Sequence, residues 1–180
     1  QEEARDVHWT VKELVFNNLF KYGEGNKINF DKLKGIVGIF GPNRAGKSSI
    51  VSSLMYGLFN TTEREVGRGV GHYINKGKKQ ANCSIRFESG GSEYLIERAV
   101  ALKENPKEPM ASTTTLQLYQ IQKDGSKSIV ENDVSRTDTD KVLRKLIGTP
   151  VDFRLTAYSA QGDIARFIEQ GATQRKANLN

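Results

Sequence analysis

The stretch Gly41-Pro42-Asn43-Arg44-Ala45-Gly46-Lys47-Ser48 constrains this chain more than any other. It fits the phosphate-loop pattern: glycine, four variable residues, glycine, lysine, then a hydroxyl residue. The pattern needs a strand before it and a helix after it, and both are legible. Ile36-Val37-Gly38-Ile39-Phe40 is a short apolar run of the kind a buried parallel strand carries. Ile50, Val51, Leu54, Met55, Leu58 and Phe59 recur at helical spacing. Residue types then dictate the chemistry. Glycines let backbone N–H groups close around phosphate oxygens, and the N-terminus of the following helix adds partial positive charge. Lys47 is placed for the β- and γ-phosphates, the Ser48 hydroxyl for Mg²⁺ and Ser49 for an α-phosphate oxygen. Asn43, Arg44, Ala45 and Gly46 complete the cradle. The bland alternative, a glycine-rich turn before a core helix, requires pattern and context to coincide by chance.

The 180 residues suffice for one ordinary domain with a real core. Twenty-seven Lys and Arg against 21 Asp and Glu leave a net charge of +6, which favours a polyanionic partner such as DNA. A solvated basic surface accounts for the same excess. No apolar run approaches a membrane span, so no membrane association is expected. The polar start, Gln1-Glu2-Glu3-Ala4-Arg5-Asp6, is no secretory signal. It lacks an initiator methionine, so Gln1 is expected not to be the natural start, or to follow removed residues. The lone Cys83 excludes an internal disulfide and a cysteine metal cluster. It alternates with Ile85 and Phe87, which predicts burial, and a cytoplasmic or nuclear, reducing setting suits it. His8 and His72 show no ligand spacing.

Along the chain, Val7 to Phe20 reads as one strand and Lys27 to Asp31 as a second paired with it, joined through the turn Tyr22–Asn26. Asn60 to Gly71 reads as a loop, and Gly67-Arg68-Gly69-Val70-Gly71 lacks the strand and helix a second nucleotide motif needs. Asn75-Lys76-Gly77-Lys78-Lys79 is a basic turn that is either solvated or apposed to nucleic-acid phosphates. Cys83 to Phe87 alternates, Ser89-Gly90-Gly91-Ser92 turns, and Tyr94-Leu95-Ile96 begins the return strand. A loop with Pro106 and Pro109 leads to a strand around Leu116 and Leu118, and Asp124-Gly125 predicts a hairpin to Ser128-Ile129-Val130. A helix follows, capped by Asp138 or Thr139, with Val142, Leu143, Leu146 and Ile147 as its apolar face and Gly148 as its end. Pro150 opens a short turn around Phe153. Leu155 to Ala160 reads as a brief strand running into Gln161, then Ile164, Phe167 and Ile168 at helical spacing. Residues 173–180 read as the first turns of a further helix. The expected fold is α/β: a P-loop strand–loop–helix core (1–60), an inserted antiparallel β-meander (72–131), and a segment of helix, Gln161 loop and helix start (138–180).

These segments, in this order, resemble the SbcC-type ATPases of double-strand-break repair, relatives of the SMC heads within the wider ABC ATPase class. The resemblance rests on Asn18-Leu19-Phe20-Lys21-Tyr22-Gly23-Glu24, on Gly41 to Ser49, and on Ile74-Asn75-Lys76-Gly77 with Cys83–Phe87 and Tyr94–Arg98. It rests also on Ala160-Gln161-Gly162-Asp163-Ile164-Ala165-Arg166-Phe167-Ile168, which resembles the Q-loop, with Arg175 soon after. It covers nearly the whole chain from about Val11. Two departures stand out: Arg44 occupies a position where the family often has glycine, and Phe20 one where relatives often carry a basic residue.

The resemblance implies that Gln161 contacts Mg²⁺ and the attacking water. It implies an ABC-type ATPase lobe using ATP and Mg²⁺, a homodimer clasped by ATP, DNA access gated for a partner nuclease of the SbcD type, and completion by the protein's own C-terminal half. The family continues into a long coiled coil and returns with a signature motif, a Walker B Asp-Glu pair and a switch histidine. Those motifs are not found in these 180 residues, and Ser89-Gly90-Gly91-Ser92-Glu93 lies in the wrong order to be the signature. Residues 1–180 alone are therefore expected to turn over no ATP. Alternatives are an SMC-type chromosome-organising head and a nucleotide-dependent scaffold that does not hydrolyse.

Overall fold

Alternation of apolar and polar residues organises the described residues around one six-stranded antiparallel sheet. The computed structural model describes residues 8–35, 37–62, 69–104, 107, 110–130 and 135–156. The strands are β1 (Trp9–Asn17), β2 (Asn26–Asn29), β3 (Gln80–Ser89), β4 (Ser92–Leu102), β5 (Ser112–Ile121) and β6 (Lys127–Ile129), in spatial order β2-β1-β3-β4-β5-β6. The helices are α1 (Lys47–Phe59), α2 (Arg136–Ile147) and α3 (Pro150–Thr156). Register follows from the pleat. Leu14 and Phe16 of β1 lie opposite Ile85 and Cys83 of β3, and Ile85 opposite Ile96 of β4, so one face is continuously apolar. The β3–β4 hairpin turns on Gly90 and Gly91 at φ 58° and 76°, the left-handed pair that a two-residue loop requires.

The apolar face is covered by α1 and α2. Gly57 of α1 lies so close to the sheet that a Cβ there would stand 2.4 Å from Ile85 Cδ1 and 2.9 Å from Cys83 Sγ. Glycine weakens a helix interior by roughly 0.5–1 kcal/mol relative to alanine; here it permits the close approach. Cys83 is buried as expected, and burial pushes its thiol up to about 12. Beneath α1 lies Arg98, 1% exposed on the inner face of β4. Its Nε donates to the Gly57 carbonyl at 3.1 Å and its Nη2 to Asp140 Oδ1 of α2 at 3.0 Å. Gly57 is in the last turn of α1, where carbonyls lack intrahelical partners and the helix dipole favours a cation. One guanidinium therefore ties α1, the sheet and α2 together.

Several elements differ from the sequence reading. Residues 37–40 form no strand and are exposed: Val37 by 49%, Ile39 by 44% and Phe40 by 93%. A parallel strand needs ladder partners and cover on its faces, and among the described residues no strand pairs with this run. All pairing within the sheet is antiparallel, so the described residues show the loop–helix unit and the meander of the α/β lobe, and no parallel pair among them. β1 stops at Asn17 because Asn18 and Phe20 take left-handed φ values of 55° and 53°. α2 starts earlier than expected: Ser135 caps it, accepting from the Asp138 N–H at 3.3 Å. The segment around Phe153 is the helix α3. Thr149 and Asp152 bond reciprocally across its first turn, with Pro150 at the first helical position. Leu155 and Thr156 are thus helical rather than strand, and 157–160 lie outside the described residues.

Removing Arg98 should leave the Gly57 carbonyl buried and unpaired. Arg98→Met is expected to lower unfolding free energy by about 2–3 kcal/mol in urea titration. An unchanged midpoint contradicts the role given to the guanidinium.

Candidate functional site

The site starts from a strained turn. After β1, the backbone of 18–22 is held by hydrogen bonds to Gly23, Tyr73 and Asn75, and Tyr22 N closes the turn onto Leu19 O at 2.9 Å. Asn18 N donates to Gly23 O (2.8 Å), Phe20 N to Tyr73 O (2.7 Å), Asn75 N to Asn18 O (2.8 Å) and Asn75 Nδ2 to Phe20 O (2.9 Å). Fully buried Leu19 pins the turn to the core and bridges to Ile74. Left-handed conformations at Asn18 and Phe20 cost free energy for residues with a Cβ, and this lattice of bonds over-determines them. The turn thereby sets Lys21 and Tyr22 against the glycine loop. A Cβ on Gly46 would stand 3.4 Å from the Tyr22 ring and 3.6 Å from Lys21 Cβ.

The loop itself is built around Lys47. Its ammonium donates to the carbonyls of Gly41 at 2.6 Å and Pro42 at 2.8 Å, so the loop folds back over the side chain. Ala45 N donates to Pro42 O at 3.2 Å, closing a turn with Asn43 and Arg44 at its centre. Lys21 Nζ donates to Arg44 O at 2.8 Å. Gly46 caps α1 at φ 93° without a side chain to occupy the first-turn N–H groups. Ser48 is exposed at that terminus and Ser49 half-buried. Cation, helix N-terminus and hydroxyl thus converge within one loop, the donor set that a phosphorylated ligand and its divalent cation require.

The structure brings Asn43, Arg44, Ala45, Gly46, Lys47, Ser48 and Ser49 together at this terminus. Gln161, the surrounding 160–168 and Arg175 lie outside the described residues. Ser89-Gly90-Gly91-Ser92 is the β3–β4 hairpin turn, as read from the sequence. Lys21 and Tyr22 enter the site although the sequence offered them only as part of a strand end and turn; the signal for them was the family match across Asn18–Glu24. In the basic turn, Lys76 and Lys79 are exposed, while Lys78 pairs with Glu24 at 3.3 Å. Hydrogen bonds from Asn18 and Lys78 hold the Glu24 carboxyl below its ordinary range.

The chain is similar in sequence to known proteins. A family model described as an AAA domain matches residues 13–180. An uncharacterized protein, R555, of Acanthamoeba polyphaga mimivirus is 30% identical over 175 residues, covering 96% of this chain and 13% of that protein. The DNA double-strand break repair Rad50 ATPase of Sulfolobus acidocaldarius is 38% identical over 90 residues, 50% of this chain and 10% of its own length. The SbcC component of the nuclease SbcCD of Clostridium acetobutylicum is 28% identical over 159 residues, 85% of this chain and 13% of its own length. The chain therefore spans about an eighth or less of these relatives. A solved structure, from work on ATP-driven dimerization and DNA-stimulated activation of SMC ATPases, superposes with a TM-score of 0.60 at 22% identity. That match covers 94% of this chain and 96% of the other; it shows a shared fold.

Proposed function

Since the chain belongs to the AAA-domain family and to the SbcC/Rad50-type, SMC-like ATPase heads, we propose that loop 41–48 binds ATP with Mg²⁺ as the N-terminal lobe of a DNA double-strand-break repair ATPase. The observation that carries this reading is the Lys47 ammonium seated on the Gly41 and Pro42 carbonyls at the N-terminus of α1. Those carbonyls hold the cation in the loop until phosphate oxygens take their place. Lys47 then neutralises the β- and γ-phosphates, the free N–H groups of the first turn of α1 bind oxygen, and the Ser48 hydroxyl holds the metal. Bound Mg²⁺ would supply Lewis-acid charge at the phosphoryl oxygens. Gln161 orients the attacking water in this scheme, on the strength of the sequence match.

Four partners follow on the same footing. The exposed apolar run Val37, Ile39 and Phe40 supports docking of the protein's own C-terminal half, which would supply the strands that this run lacks. The names of the relatives support a homodimer formed on ATP binding, DNA as ligand and a partner nuclease of the SbcD type. A cytoplasmic or nuclear, reducing setting is proposed from the lone Cys83 alone. The domain division at 1–60, 72–131 and 138–180 belongs to the same reading.

Turnover tests it. Residues 1–180 alone hold Lys47, Ser48 and Gln161 but no Walker B carboxylate, and positioning without that charge leaves most of the barrier standing. Phosphate release by 1–180 should stay at background and rise on addition of the C-terminal half, with Lys47→Ala abolishing the rise. Lys47-dependent turnover by 1–180 alone contradicts the assignment. For DNA, reversing Lys76, Lys78 and Lys79 to glutamate should weaken binding and reduce the log–log salt slope by up to about 3. An unchanged slope means that the turn is merely solvated.

A further inference from the structure

Arg44 sits at the third position of the turn from Pro42 to Ala45, with φ 68°. A turn with positive φ at that position normally takes glycine or asparagine, because a Cβ is strained there. Asn43, the first central residue, is not left-handed. The loop therefore carries its strain at one place, and that place lies two residues before the glycine that caps α1. Something must hold Arg44 in that conformation when no ligand does.

We propose that Lys21 is a positioning residue for the loop: its ammonium, 2.8 Å from the Arg44 carbonyl, keeps the Arg44–Ala45 peptide in the orientation that the phosphate-binding turn needs. A peptide unit is planar, so a pinned carbonyl fixes the direction of the next N–H. Here that N–H is Ala45's, which closes the turn onto Pro42 O at 3.2 Å. Lys47 holds the Gly41 and Pro42 carbonyls from the other side. The two lysines thus clamp three loop carbonyls. The anchor of Lys21 is rigid because the 18–22 turn is fixed by Tyr73, Asn75 and Leu19. Arginine at position 44 and lysine at position 21 work as a pair, the second offsetting the strain of the first. Glycine at position 44 would need no such partner.

The inference rests on the reading of loop 41–48 as the nucleotide site, and its test has an arm that does not depend on that reading. In the nucleotide-free full chain, Lys21→Met should speed amide exchange across 41–47 while leaving α1 beyond its first turn and the melting temperature unchanged. Lys21→Arg should restore slow exchange, and Arg44→Gly should make the loop insensitive to Lys21→Met. In calorimetric titration with Mg·ATP, Lys21→Met should weaken affinity about tenfold in the Arg44 background, the scale set by a left-handed residue with a side chain. The same change should weaken it by less than about twofold in the Arg44→Gly background. An equal penalty in both backgrounds overturns the proposal, since a cation acting on the ligand directly would be indifferent to residue 44. Unchanged exchange in Lys21→Met overturns it as well. A wild-type chain that binds no Mg·ATP but shows the exchange pattern retains the clamp and sinks the nucleotide reading instead.

Discussion

The buried guanidinium of Arg98 joins the parts that the rest of the structure depends on. A charge removed from water is tolerated only where hydrogen bonds and an opposite charge compensate it. The Gly57 carbonyl at the end of α1 and the Asp140 carboxylate on α2 supply that compensation to Nε and Nη2. This contact fixes the C-terminal end of α1 over β3 and β4, at a distance only Gly57 allows. Further ties fix the same end: Phe59 meets Phe153 of α3 at 5.7 Å between ring centroids, and Arg154 donates to Thr62 O at 2.6 Å. With one end of α1 anchored, its other end is delivered to the glycine loop at a fixed place.

At that other end the structure accumulates strain rather than relieving it. Of the four left-handed residues with a side chain among the described residues, Asn18, Phe20 and Arg44 lie in the two segments that face each other across the site; the fourth, Asn60, is the C-cap of α1. Strain of this kind persists only where neighbours over-determine it, and it concentrates at functional sites. Here the neighbours are identifiable: Asn75 and Tyr73 for the turn, Lys21 and Lys47 for the loop. The β3–β4 hairpin, distant from the site, places glycines, Gly90 and Gly91, at its left-handed positions.

Much of this was legible from residues alone. The alternation Cys83–Ile85–Phe87, the Gly90-Gly91 turn and the run Ile50–Phe59 marked their elements because local pattern and tertiary packing agree there. The loop residues 43–49 are contiguous, so their adjacency was legible without knowledge of any long-range contact. What escaped the sequence depends on partners far along the chain. Residues 37–40 carry a strand's composition, yet no described strand pairs with them. The Phe153 segment is a helix because Thr149 and Asp152 cap it, a signal masked by its short length. Lys21 joins the site through a turn held by residues 73–75, a contact no periodicity encodes.

The function proposed for this chain depends on Lys47 and the loop around it binding ATP. The most direct test is calorimetric titration of Mg·ATP into the full chain and into Lys47→Ala, with the fold of each verified by thermal melting. Saturable binding is expected for the wild type, with a loss of affinity of about 100-fold in the variant, the order that follows when a charge-assisted contact to phosphate is removed. Equal affinities in the two proteins would contradict the ATP site.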